Sequence, residues 1–257
     1  SHWYVDRVLR ELARACSKAE INLSFDQTQM TSAGLRTRFH RNRVDGVIVT
    51  SVSDVEGVCR SLDELALPYI LLRRRHPADA APYVDSADDE GMRRIVRFLY
   101  DLGHRRIAFL GTGSLPSKQR ARGFIQAHQD LDLPVNDEWI IQRPNPVELV
   151  GNLFYQDPRP TAIACYDDRR AFDLLRWCQV HGVQVPGDLS ITGFGDEEIS
   201  EFLTPAMTTV HIPVRSMVDR AVEALLAAVR ERRRPEIRET FPVYLIERQT
   251  TAPPRAT

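Results

Sequence analysis

Residues 105–124, RRIAFLGTGSLPSKQRARGF, run from a charged edge through an apolar stretch into a glycine-containing loop and then a helical pattern. Nucleotide-binding turns begin in that order. A dinucleotide loop needs a third glycine so that helix and strand can pack closely, and the position three after Gly113 is Pro116. A phosphate-cradling loop needs glycine, four residues and then Gly-Lys-Ser/Thr; Lys118 is near, but that spacing is absent. Both nucleotide readings fail. The chain also lacks the Gly-x-Ser-x-Gly elbow of serine hydrolases and the His-Glu-x-x-His of zinc peptidases. His104, in LGHRR, is the type of residue that serves as a base, yet at a helix-to-strand turn it reads as structural. His211 has no evident nucleophile beside it. The residues argue against an enzyme and imply no cofactor.

Cys16, Cys59, Cys165 and Cys178 are scattered, with no Cys-x-x-Cys pair, as expected of buried thiols in a reducing cytoplasm rather than of disulfides or a metal site. A formal net charge of −1, with 27% charged residues, gives no global cationic field, so any contact with DNA must come from elsewhere. No run approaches the length of a membrane span and no basic-then-apolar leader opens the chain. The first residues, SHWYVDRVLREL, enter a helix at once, so an upstream segment is expected to be missing.

The elements that must position these residues alternate. VDGVIVT (44–50), LPYILL (67–72), RRIAFLG (105–111), PTAIAC (160–165) and LSITGF (189–194) are short, nearly continuous apolar runs, the pattern of strands covered on both faces. Helical spacing separates them at 55–66, 88–102, 118–130, 168–181 and 214–231. Such alternation predicts parallel sheets with helices on both faces and ligands at the carboxyl ends of the strands; 257 residues suffice for about two lobes. Gly103 and Gly182 end helices ahead of strands, and Asp168 is placed to cap the helix that starts there. The arginine-rich RERRRPEIRE (230–239) reads as solvated surface past a helix end.

Seven stretches, taken in order, resemble the effector-binding core of the LacI/GalR family of bacterial transcriptional regulators, which is similar to periplasmic sugar-binding proteins. They are RVDGVIV (43–49), LPYILLRRR (67–75), YVDSADDEGMRRIVRFLYDLGHRRIAFLG (83–111), SKQRARGF (117–124), RPTAIACYDDRRAFDLLRWCQVHGVQVPGDLSITGFGD (159–196), LTPAMTTVHIP (203–213) and LIERQTTAPP (245–254). The resemblance implies an α/β fold of two doubly wound parallel-sheet lobes joined by a three-strand hinge, of the periplasmic-binding-protein type I kind. Residues 1–86 and 214–241 would form the N-terminal lobe and 87–213 and 242–257 the C-terminal lobe. The family's first strand and its DNA-binding headpiece would lie upstream of this sequence.

The same resemblance implies a ligand-binding set. Trp3 and Tyr4 stand where the family places an aromatic pair, a flat face on which a sugar ring can stack. Ser114 lies in the loop ahead of the helix, and Arg120, three residues before the helix glycine, reaches the effector. A guanidinium fork suits vicinal hydroxyls or a carboxylate, and Arg120→Ala is expected to weaken effector binding while leaving the fold intact. Asp167 occupies the position of an effector-binding asparagine, and a carboxylate there selects ligands that donate or a cation. Gly195 replaces an acid that commonly touches the ligand, leaving Asp196 either to face the cleft or to cap a helix through 197–202. Ile212 replaces a frequent glutamine. Arg73 replaces an acidic or neutral residue; with Arg120 it favours an acidic ligand, unless Arg73 and Asp167 satisfy each other.

The expected function is ligand sensing by a cytoplasmic, homodimeric repressor-type regulator. A small molecule, a sugar or an acidic sugar derivative, would bind between the lobes and control operator binding allosterically, with no metal and no membrane contact. The alternative is the solute-binding component of a sugar transporter, which shares the two-lobed architecture.

Overall fold

The computed structural model describes residues 2–26, 44–144 and 147–255. The chain divides into two units, Ser1–Ser86 with Pro213–Pro242, and Ala87–Ile212 with Val243–Thr257. In chain order the first unit contributes α1 (His2–Lys18), β1 (Val47–Val49), α2 (Val55–Glu64), β2 (Tyr69–Leu72) and β3 (Tyr83–Ser86). The second is built from α3 (Asp88–Asp101), β4 (Ile107–Gly111), α4 (Leu115–Asp130), β5 (Ile140–Gln142), α5 (Val147–Phe154), β6 (Ala162–Cys165), α6 (Asp168–Val180), β7 (Ser190–Thr192) and β8 (Thr209–His211). The chain returns to the first unit for α7 (Val214–Arg230) and β9 (Arg238–Phe241), then closes the second with β10 (Tyr244–Ile246).

The first unit holds a parallel sheet in the order β1-β2-β3-β9. Every residue of β2 is buried, as its unbroken apolar run requires of a strand covered on both faces. Helix α1 turns Val8, Leu12, Ala15 and Cys16 inward and packs on α7, which buries Val218, Ala221, Val222 and Leu225 at helical spacing. Helix α2 opens on Asp54, whose carboxylate accepts from the Gly57 N–H at 2.8 Å. One arginine of the stretch at 230–239 is structural. Arg234 lies over the Tyr69 ring at 5.4 Å and donates to the Tyr69 hydroxyl at 2.8 Å, so that stretch is more than solvated surface.

The second unit holds a parallel sheet in the order β5-β4-β6-β7, with β8 and β10 as a separate antiparallel pair. Ala108, Leu110, Ile163, Cys165 and Ile191 from the sheet meet Leu174 and Cys178 of α6 in one buried cluster. Helices α3 and α4 approach so closely that a Cβ on Gly123 would stand 2.3 Å from the backbone oxygen of Asp89. Only glycine allows that crossing. His104 is buried where three strands begin: Nδ1 is 2.9 Å from Thr161 Oγ1, and Nε2 is 3.0 Å from the Ala252 carbonyl and 3.2 Å from Ser190 Oγ. Burial pushes its pKa down, so the ring ties strand starts together as a neutral group. All four cysteines are buried free thiols.

Candidate ligand-binding site

The glycine loop after β4 explains itself locally. A Cβ on Gly111 would sit 2.3 Å from Ser117 Oγ, and Gly113 adopts φ +75°, the left-handed region that favours glycine. Ser117 Oγ accepts from the Thr112 N–H at 3.0 Å, tying the loop to the first turn of α4. Ser114 is exposed at the N-cap position, receives the Thr112 hydroxyl at 3.0 Å and makes no side-chain cap. The helix starts at Leu115, three residues earlier than the periodicity implies, because Pro116 sits in the first turn where its missing N–H costs nothing.

Arg120 is buried, 3% exposed, inside the second unit. Its Nε and Nη2 both donate to Asp88 Oδ2, at 3.0 and 2.7 Å, Nη1 donates to the Tyr166 carbonyl, and the guanidinium lies 3.8 Å over the Phe194 ring. Asp88 and Phe194 lie in stretches that carry the resemblance, but neither was expected among the site residues. The one signal for Asp88 is its place at the start of a helix whose first turn is acidic.

Asp167 and Asp168 have divided roles, and they are the reverse of the expectation that Asp168 caps the helix. The Asp167 carboxylate is the N-cap of α6, accepting from the Arg170 N–H at 2.9 Å. Asp168 turns inward: Oδ2 accepts from the Glu197 N–H at 2.7 Å and from Ser200 Oγ at 3.3 Å, and Oδ1 accepts from the Thr209 hydroxyl at 2.5 Å. Burial pushes its pKa up to about 6, against the pull of the Thr209 and Glu197 hydrogen bonds. Asp167 is also buried, 1% exposed, and its second oxygen, Oδ2, has no hydrogen-bond partner among the described residues. A buried carboxylate oxygen without a donor is costly, and it is an acceptor for whatever hydroxyl or amine reaches it.

Asp196 neither caps a helix nor stands by itself. The segment after it is a short 3-10 turn, Glu198–Glu201, with Glu197 at its N-cap. Asp196 Oδ2 is 2.8 Å from His211 Nδ1, and Oδ1 accepts from Arg248 Nη2 at 2.8 Å. Burial raises its pKa, but the hydrogen bonds from His211 and Arg248 outweigh that and hold the carboxyl below its ordinary value. Gly195 spends its N–H on the Val210 carbonyl at 2.8 Å, and Ile212 is fully buried.

In the first unit, the Arg73 guanidinium stands 4.7 Å over the Tyr4 ring. Arg73 has φ +53°, and its N–H is held by the Val84 carbonyl at 2.8 Å. Two predicted contacts therefore come together there, while the side chain of Trp3 lies outside the described residues. Next to them Arg75 Nε donates to Asp85 at 2.8 Å and Nη2 to the Thr240 hydroxyl at 2.8 Å.

Residues 96–251 match the periplasmic binding protein-like domain. The chain belongs to that family, and within it to the effector-binding cores of LacI/GalR regulators. It is 33% identical to the arabinose metabolism transcriptional repressor of Geobacillus stearothermophilus over 207 residues, 75% of this chain and 57% of that protein. It is 29% identical to the HTH-type transcriptional repressor PurR of Vibrio parahaemolyticus over 197 residues, 74% of this chain and 59% of that protein. The chain thus spans less than two-thirds of these relatives' length. Among solved structures, transcription regulator GntR from Chromobacterium violaceum superimposes with a TM-score of 0.84 at 25% identity, covering 95% of this chain and 93% of that one. A LacI-family regulatory protein from Chloroflexus aggregans shares the fold, with a TM-score of 0.86 at 24% identity over 96% of this chain and 92% of that one. No helix of the described residues is long and apolar enough to cross a membrane.

Membership in this family changes how SxxRxxGF at 117–124 is read. Ser117 pins the loop, Arg120 grips Asp88, Gly123 admits the backbone of α3, and Phe124 is buried with its ring 5.6 Å from that of Phe109. All four positions build the second unit of a LacI/GalR-type core.

Proposed function

We propose that this chain is the ligand-sensing part of a LacI/GalR-type transcriptional repressor. It binds a small hydroxyl-rich molecule, a sugar or sugar derivative, and through it controls operator binding by a part of the protein beyond these residues. The observation that carries the reading is Asp167 Oδ2, a buried acceptor with no donor at the carboxyl end of β6, where parallel sheets bind ligands. An acceptor-only group selects ligands that donate, which fits sugar hydroxyls and the arabinose-related name of one relative. Tyr4 and Arg73 are assigned to ligand contact in the first unit; Ser114, Arg120 and Asp196 keep that assignment in the second, the last two at the same time as their structural pairs. The units of the chain are read as the family's two lobes, and a ligand with higher affinity for one state of the protein shifts the population of DNA-binding molecules by that difference.

The whole regulator is read as a homodimer. Support comes from Ile199 and Phe202, apolar residues 52% and 76% exposed on the second unit.

A thermal-shift panel of neutral sugars, sugar acids, sugar phosphates and nucleobases tests the proposal, because a ligand that binds only the native state raises Tm. The expected result is a response confined to hydroxyl-rich ligands, with Asp167→Asn changing which of them respond. An identical ligand profile in wild type and Asp167→Asn removes Asp167 from the site.

A further inference from the structure

A small cavity of about 50 Å³ lies in the second unit, walled by Arg106, Arg159, Thr161, Gly187, Asp188 and Arg255 among others. Its place in the sheet separates it from the ligand site. Arg106 immediately precedes β4, Thr161 precedes β6, and Asp188 lies two residues before β7. These three strands are parallel neighbours, so their starts share one edge, whereas Asp167 and Gly193 follow strand ends at the opposite edge.

The charges in the cavity do not cancel. The acid, Asp188, is already satisfied: Oδ1 is held by Arg255, and Oδ2 accepts from the Gln184 N–H at 2.9 Å. That leaves two guanidinium groups. Arg159 is oriented by lying 4.2 Å over the Phe154 ring and has no carboxylate partner among the described residues. Arg106 likewise has none, and its Nε is buried without a hydrogen-bond partner. Two guanidinium groups without carboxylate partners line one small cavity whose single acid is already held, so donors are in excess of acceptors there. The volume is several times the 10–15 Å³ or so that a single water requires, enough for a tetrahedral anion.

We propose that this cavity binds a free inorganic oxyanion of phosphate type, as a site distinct from the ligand site at the carboxyl ends of the strands. Arg106 and Arg159 supply charge-assisted donors, Thr161 lines the same wall, and Arg255 neutralises Asp188 so that the anion is not repelled.

The test titrates the full chain with inorganic phosphate at constant ionic strength balanced by sodium chloride, reading Tm and, by calorimetry, affinity. Tm should rise by about 3 °C at ten times the dissociation constant, while matched chloride has no such effect. Arg159→Gln should weaken phosphate binding at least tenfold, and Asp167→Asn should leave it unchanged. If Arg106→Gln fails to fold, the partly exposed Arg159 still decides the matter. A rise no larger than that in chloride overturns the proposal, as does full phosphate affinity in Arg159→Gln. Loss of phosphate binding in Asp167→Asn would place the ion at the other edge of the sheet and sink the assignment as well.

Discussion

Truncating Arg120 is the most informative perturbation of the second unit. The Arg120 and Asp88 side chains are 3% and 6% exposed, so Arg120→Ala leaves a carboxylate buried without its cation. Breaking a buried pair by removing one partner costs about 3–5 kcal/mol, a figure within which the lost stack on Phe194 accounts for about 1 kcal/mol. A loss near 4 kcal/mol is a large share of a typical domain's stability. Contrary to the expectation that Arg120→Ala leaves the fold intact, that variant should be destabilised, and any weakening of ligand binding in it has to be separated from partial unfolding. Urea unfolding followed by tryptophan fluorescence suits the purpose, because Trp139 and Trp177 both report on the second unit. With a slope of about 2 kcal/mol per molar urea, the midpoint of that transition should fall by about 2 M. Asp88→Ala should also destabilise, and the double variant should cost about 2 kcal/mol less than the two single losses together, the mark of a shared interaction. Arg120→Lys, which keeps the charge but not the planar fork, should fall between wild type and Arg120→Ala. A loss below about 1 kcal/mol in Arg120→Ala, or losses that add to within about 0.5 kcal/mol, refutes the claim that this pair holds α3 and α4 together.

Three other outcomes are expected of the same unit. Gly123→Ala forces a Cβ to 2.3 Å from the Asp89 carbonyl oxygen, backbone that cannot swing aside, and should cost at least about 2 kcal/mol; a Tm within a degree of wild type contradicts the close crossing. Asp168, with its pKa raised from 3.8 to about 6, binds protons more readily folded than unfolded, so its contribution to stability is complete below pH 4 and declines as pH rises towards 6, by roughly 3 kcal/mol. Against an Asp168→Asn reference, the wild-type urea midpoint should fall between pH 4 and pH 6, and a constant difference refutes the assignment. Asp196 has the opposite sign: its lowered pKa stabilises the fold above about pH 4, and that stability is lost as pH falls through its folded value, so Arg248→Met should move acid unfolding to higher pH, with an unchanged midpoint counting against the ion pair.

The strands that the sequence disclosed are those whose runs are apolar throughout. VDGVIVT, LPYILL, RRIAFLG, PTAIAC and LSITGF contain β1, β2, β4, β6 and β7, each shortened by residues that belong to turns. Strand β3, Tyr83–Ser86, is fully buried and was still invisible to periodicity, because two of its four residues are polar. Asp85 is neutralised by Arg75, ten residues away in sequence, and no local pattern shows such a pairing. Strand β9, with the sequence RETF, lies at a sheet edge with alternating exposure and resembles loop composition for the same reason. The interchange of Asp167 and Asp168 has a similar cause. Two adjacent carboxylates at a helix start are equally good caps by type, and what separates them is Thr209, Ser200 and the Glu197 N–H, which are distant in sequence and take Asp168 inward.

The positions that carry the resemblance are also ones that the fold itself requires. SxxRxxGF is recognisable because the crossing of α3 and α4 requires each of its members: a hydroxyl to pin the loop, a fork for Asp88, no Cβ at Gly123 and a ring for the core. A side chain whose donors and acceptors are saturated by its own unit registers a substitution first as lost stability, which holds for Asp168 and for the Asp196 triad. Asp167 differs because one oxygen caps α6 while the other has no donor, so the fold accounts for half of that carboxylate and leaves the rest for recognition. Asparagine can keep the cap through its amide oxygen while turning the spare acceptor into a donor. Selectivity should therefore change at Asp167 with little change in stability, whereas at Arg120 any change in affinity should arrive together with a loss of stability.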